Sequence, residues 1–167
     1  MEHELDLTES LETIAQKLID KGLMVVTAES CTGGMISAAC TDLPGSSKWF
    51  DRAFITYSND AKHEMLGVPT ELIEGAGAVS MDVVKSMAKG AYNRAGKGKR
   101  IAVAVSGIAG PDGGSEDKPV GTVWFGYAHA KGAGAHKIVF DGDRTKVRQQ
   151  TVEKAIGLID SLIEDFE

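Results

Sequence analysis

Cysteine is scarce in this 167-residue sequence: Cys31 and Cys40 are the only two. Two are too few for a disulfide framework, and their spacing fits no metal-ligand pattern, so no metal site is expected. Basic runs are missing apart from GKGKR at 96–100, and the formal charge is −6. That removes the electrostatic footprint of a nucleic-acid binder, and no nucleic-acid partner is expected. No apolar stretch approaches the roughly 20 residues that span a bilayer, so no membrane partner is expected either. The opening residues, MEHELDLTES, are acidic and polar, unlike a secretory signal, which makes a cytoplasmic location the expectation.

What is present is ordinary for a globular protein: 43% hydrophobic and 25% charged residues, enough for one domain over residues 1–167. Leu11, Ile14, Ala15, Leu18 and Ile19 recur at helical spacing between a predicted cap at Thr8 and a stop at Gly22. LMVVTAE (23–29), AFITY (53–57) and RIAVAVSG (100–107) read as strands, the first and last buried on both faces. Helices are predicted from Thr32 or Gly33 to about Asp42, and from Asn59 or Asp60 to Leu66. Ser80 caps another, with Met81, Val84, Met87, Ala88 and Ala91 along one stripe. A loop at 108–121 precedes a hairpin, TVWFGYAH and AHKIVF joined by AKGAG. Val152, Ala155, Ile156, Ile159, Leu162, Ile163 and Phe166 mark a long final helix. Strands alternating with helices imply an α/β sandwich around a mostly parallel sheet, whose ligand site lies beyond the carboxyl ends of its strands.

Those ends collect the polar residues. Ser30 follows a buried strand, with Thr32, Gly33 and Gly34 opening the next helix, so free backbone N–H groups there suit an anion or oxyanion. Ser30 and Thr32 read equally as simple helix caps. A serine nucleophile needs a base, and Lys62, one helical turn after Tyr57, competes with His63 for that role. An ordinary surface lysine is the plainer reading of Lys62, since its pKa must fall by about three units to act near neutrality. His3, His129 and His136 lie away from the strand ends. Ser106 and Gly107 close the central strand, and Arg144, with Arg148 a turn later, opens the last helix, where a guanidinium fork suits a carboxylate or phosphate and a solvated helix start is the plainer reading. Cys31 is a weaker nucleophile candidate without a histidine partner, and SMAK at 86–89 is a chance match to a serine–lysine pattern.

Six segments, TAESCTGG, YSNDAKHEMLGV, GAVS, AVSGIAGPDGG, KPVGTVWFG and GDR, occur in order across roughly residues 8 to 165. Together they resemble the stand-alone CinA C-terminal domain family, whose characterised members are nicotinamide-nucleotide amidases. The resemblance implies a three-layer α/β/α sandwich with a mixed five-stranded sheet, a small nucleotide substrate, no metal or organic cofactor, and a homodimer. It implies hydrolysis of the carboxamide of nicotinamide mononucleotide to the acid and ammonia. The family's serine and lysine fall on Ser30 and Lys62, with Tyr57 beside them, and its arginine falls on Arg144. Family members often carry Thr where this chain has Ser106. Ser30 is then expected to attack the amide, Lys62 to move the proton, and backbone N–H groups near Thr32, Gly33 and Gly34 to hold the oxyanion. Ser106, Gly107 and Arg144 are expected at the ribose or phosphate. A serine amidase for another small amide and a non-catalytic nucleotide-binding domain are the alternatives.

Overall fold

The computed structural model describes residues 2–166, with side chains for 10–166. Its centre is a five-stranded mixed sheet in the order β2-β1-β3-β4-β5. The strands are β1 (Met24–Glu29), β2 (Phe50–Ile55), β3 (Arg100–Gly107), β4 (Thr122–His129) and β5 (Gly132–Val139). β1 pairs parallel with both β2 and β3, while β4 runs antiparallel to β3 and to β5. Four strands therefore share one direction, and β4 alone opposes them.

Helices cover both faces, as buried parallel strands require. On one side lie α1 (Glu2–Lys21), α2 (Met35–Thr41) and α6 (Arg144–Ile163), packed on Val25, Ile101, Val103, Val105, Val123 and Phe125. On the other lie α3 (Asn59–Leu66), α4 (Thr70–Ala76) and α5 (Met81–Arg94), packed on Val26, Ala28, Ala102, Ala104 and Ala128. The strand pleat sorts these residues by parity, and the second face is built largely from alanine. Small side chains let α5 come close: a Cβ on Gly126 of β4 would lie 2.5 Å from the Val84 carbonyl oxygen. Among the described residues no helix is long and apolar enough to cross a membrane.

Several boundaries differ from the sequence reading. α1 begins at Glu2, so Thr8 is not its cap; the side chains of Thr8 and His3 lie outside those described. α2 starts at Met35 rather than Thr32 or Gly33, because Gly33 (φ 56°) and Gly34 (φ 105°) take left-handed conformations that delay the helix. β2 is shifted to Phe50–Ile55, leaving Thr56 and Tyr57 in the turn beyond it. The seven-residue α4 was not foreseen; Pro69 launches it, and one apolar turn carries little periodicity. The β4–β5 connection is tighter than AKGAG, with His129 paired to Gly132. Ile19 and Met81 are exposed instead of belonging to their stripes, and Phe166 lies in a short 3₁₀ turn after α6.

Candidate active site

Three strands end side by side. Glu29 of β1 pairs with Ile55 of β2 and with Val105 of β3, so the segments that follow all emerge at one edge of the sheet. The chain leaves β1 toward α2 on one face, whereas β2 leads to α3, α4 and α5 on the other before β3 returns beside β1. This divergence opens a crevice of the kind that binds ligands in α/β sheets. It holds a pocket of about 210 Å³ lined by Ser30, Tyr57, Asn59, Lys62, Ser106 and Arg144, together with Cys31, Gly107 and small apolar residues.

Ser30 is buried and pinned by its main chain, whose N–H donates to the Val105 carbonyl at 3.2 Å. Lys62 reaches it from the first turns of α3. The Ser58 hydroxyl caps that helix by accepting the Ala61 N–H, which fixes the face that Lys62 presents. Lys62 is only 1% exposed, and its Nζ lies 3.0 Å from Ser30 Oγ. Nζ also donates to the carbonyls of Thr56 at 3.0 Å and Tyr57 at 2.9 Å. The Ser30 hydroxyl has a longer alternative acceptor in the Tyr57 carbonyl at 3.4 Å. Desolvation by burial lowers the Lys62 pKa from 10.5 to about 8.

The competing nucleophile and base are disposed of by their surroundings. Burial pushes the Cys31 thiol up to about 11, so at neutral pH it holds its proton. His63 is on the same helix as Lys62, but its Nδ1–H donates to the Val68 carbonyl at 2.8 Å, and the ring does not line the pocket. His129 pairs with Asp165, and His136 stacks on Phe125.

Some predicted ligands have other work. The Thr32 hydroxyl faces inward and donates to Glu29 at 2.7 Å, and Thr32, Gly33 and Gly34 are not among the residues that line the pocket. Tyr57 accepts a hydrogen bond from Lys62 on its carbonyl, and the residue is 64% exposed at the rim. The Ser106 hydroxyl donates to the Ala78 carbonyl at 2.8 Å, tying the pocket wall at 77–80 to the end of β3. Gly107 has no room for a side chain: a Cβ would meet Val123 Cγ2 at 2.6 Å. Arg144 is exposed and lines the pocket, and its Nη1 donates to the Gly110 carbonyl at 2.8 Å.

Glu29, which the sequence left without a role, is a scaffold residue. Its buried carboxylate accepts four bonds: from the hydroxyls of Thr27 and Thr32, and from the N–H groups of Ile36 and Ser37. It thereby caps α2 from the preceding strand. Asn59 was missed as a pocket residue; its three-residue step from Lys62, which puts both on one helix face, is the signal that marks it.

The CinA C-terminal domain family matches residues 7–163. A nicotinamide-nucleotide amidohydrolase PncC of Escherichia coli (strain K12) is 51% identical over 152 residues, which is 90% of this chain and 91% of that protein. The protein of the same name from Enterobacter agglomerans is 57% identical over 138 residues, covering 82% and 83%. The crystal structure of the competence/damage inducible protein CihA from Agrobacterium tumefaciens superposes with a TM-score of 0.89 at 45% identity, over 94% of this chain and 95% of that one.

Proposed function

Because the chain belongs to the CinA C-terminal domain family, we propose that it hydrolyses the carboxamide of nicotinamide mononucleotide to the carboxylate and ammonia, with Ser30 as nucleophile and Lys62 as its base. The observation that carries this reading is the 3.0 Å contact between Lys62 Nζ and Ser30 Oγ in a desolvated pocket. A neutral amine has two N–H groups and one lone pair. The carbonyls of Thr56 and Tyr57 occupy the two N–H groups, so the lone pair is left for the Ser30 hydroxyl.

Ser30 Oγ attacks the amide carbon as its proton passes to Lys62. The cationic ring draws electron density from the carbonyl, and that same charge favours the neutral amine on Lys62. Free main-chain N–H groups in the 31–34 turn receive the oxyanion. The carbon–nitrogen bond then breaks, Lys62 returns the proton to the departing nitrogen, and ammonia leaves an ester on Ser30. Water attacks that ester, with Lys62 again taking the proton, and the carboxylate product is released. A pocket of 210 Å³ is smaller than the roughly 300–1,000 Å³ typical of sites that enclose whole drug-sized ligands. It suits the ring and amide, with the phosphate at the mouth on Arg144.

The test is ammonia release from nicotinamide mononucleotide, the corresponding nucleoside, free nicotinamide and glutamine. The nucleotide should be by far the best substrate. Ser30→Ala should abolish turnover while product still binds, and Arg144→Ala should raise KM for the nucleotide about tenfold or more with a smaller change in kcat. Turnover by the serine variant near the wild-type rate would remove Ser30 as nucleophile, and equal rates on nucleotide and nucleoside would remove the phosphate contact.

A further inference from the structure

The turn that carries Ser30 is gripped from two sides, and only one grip is explained by helix capping. From the sheet side, Glu29 holds the Thr32 hydroxyl and the first amides of α2. From α6, Arg148 donates Nε to the Cys31 carbonyl at 3.0 Å and Nη2 to the Thr32 carbonyl at 3.2 Å. Arg148 follows Arg144 by one helical turn, yet its fork is used on the protein's own backbone and it does not line the pocket.

The consequence lies in the peptide units. In a trans peptide the C=O and the following N–H point in opposite directions. Holding the Cys31 carbonyl toward α6 therefore aims the Thr32 N–H away from it, and holding the Thr32 carbonyl does the same for the Gly33 N–H. The Gly33 N–H is spent on the Ser30 carbonyl at 3.1 Å. The Thr32 N–H has no main-chain acceptor among the described residues, and neither does that of Cys31, the residue after the serine. Two consecutive amides without main-chain acceptors, in the turn that follows Ser30, form an anion-receiving pair provided the turn cannot rotate. A rotated turn would present a carbonyl instead. The positive guanidinium adds to the same end, since its charge, hydrogen-bonded to the turn, favours negative charge there.

We propose that Arg148 is a positioning residue for the reaction: by fixing the Cys31 carbonyl it orients the Thr32 amide, and by fixing the Thr32 carbonyl it holds the Gly33 amide on the Ser30 carbonyl, which in turn orients the Cys31 amide, so that the Cys31 and Thr32 amides form the oxyanion site. This inference rests on Ser30 being the nucleophile of an amidase, which the Ser30→Ala experiment tests separately. It predicts a loss confined to the transition state, because the oxyanion exists only there.

Arg148→Ala, Arg148→Gln and Arg148→Lys should be compared with wild type on nicotinamide mononucleotide, in the intact protein and well below each variant's melting temperature. The alanine variant should lose about 10- to 100-fold in kcat, with KM and product affinity within about threefold of wild type. Lysine should recover only part of the loss, since one ammonium reaches two diverging carbonyls poorly. Guanidinium ion at low millimolar concentration should raise the kcat of the alanine variant and leave the wild type unchanged. The inference is overturned by a kcat within twofold of wild type. It is equally overturned by a KM rise with kcat intact, which makes Arg148 a substrate ligand, or by product affinity falling in parallel with kcat, which makes the effect a collapse of the pocket. If the alanine variant does not fold, the glutamine and lysine variants decide by the same criteria.

Discussion

A lysine ammonium has three hydrogens, and Lys62 has three oxygen acceptors within 3.0 Å: Ser30 Oγ and the carbonyls of Thr56 and Tyr57. The same geometry serves the neutral amine, with the serine hydroxyl turning from the Tyr57 carbonyl toward Nζ. The two protonation states thus share one set of atoms, and little rearrangement accompanies proton transfer. With a pKa of about 8, about one Lys62 in ten is neutral at pH 7. kcat/KM should therefore climb about tenfold per pH unit below pH 8 and level off above it. Once the cationic ring is bound, the apparent pKa read from kcat should lie lower still. A flat profile between pH 6 and 9 would exclude Lys62 as the base. Stability carries the same signature with its own sign. Between pH 8 and 10.5 the unfolded chain retains a proton that the folded protein has released, so this group's contribution to stability rises with pH across that window. Below pH 8 both states hold the proton, and the cost of burying it is fully present.

At the scale of elements, the spacing between β4 and α5 sets where the pocket wall stands. Ala102, Ala104 and Ala128 carry the smallest side chains that still bury apolar surface, and Gly126 carries none. The Val84 carbonyl of α5 occupies the space where a Gly126 Cβ would lie. Gly126→Ala should therefore destabilise the protein by about 1–3 kcal/mol in denaturant titration, through overpacking rather than backbone strain. Wild-type stability in that variant would show that α5 is free to withdraw. The start of α5 adjoins the 77–80 wall that Ser106 ties to β3, so displacement of this helix is felt at the site. Elements of this kind were legible when their pattern was long. The apolar run of β3 gives both of its ends, Arg100 and Gly107, and α3 is expected from Asn59 or Asp60 to Leu66 against the observed Asn59–Leu66. The unread α4 and the late start of α2 are short-range events, set by a proline and by two left-handed glycines.

At the scale of the molecule, a chain of net charge −6 gathers Lys62, Arg144 and Arg148 where three strands end, a local concentration of basic groups against the overall charge. Among the described residues no group of three or more histidine, cysteine or carboxylate side chains is arranged to hold a metal ion. The proposed reaction takes both its nucleophile and its base from the chain itself. Ammonia release should accordingly persist after prolonged treatment with chelator. Loss of activity restored by one divalent metal would shift the nucleophile from Ser30 to a metal-activated water.

The sequence by itself determined the alternation of buried strands and amphipathic helices, because a period of 2 or 3.6 in apolar residues is a local property. It also determined that Ser30, Tyr57 and Ser106 fall at or just beyond strand ends, and so at one edge of a parallel sheet. Only the tertiary structure decided what each polar group does there. Thr32 and Ser106 read as ligands in sequence; the Thr32 hydroxyl donates to Glu29 away from the pocket, while that of Ser106, which lines the pocket, donates to the Ala78 carbonyl. Arg148 stood out in sequence only as lying one turn after Arg144, yet it holds backbone 116 and 117 positions away. Hydrogen-bond partners, unlike periodicity, are set by what the fold brings within about 3 Å, and chain order does not encode that distance.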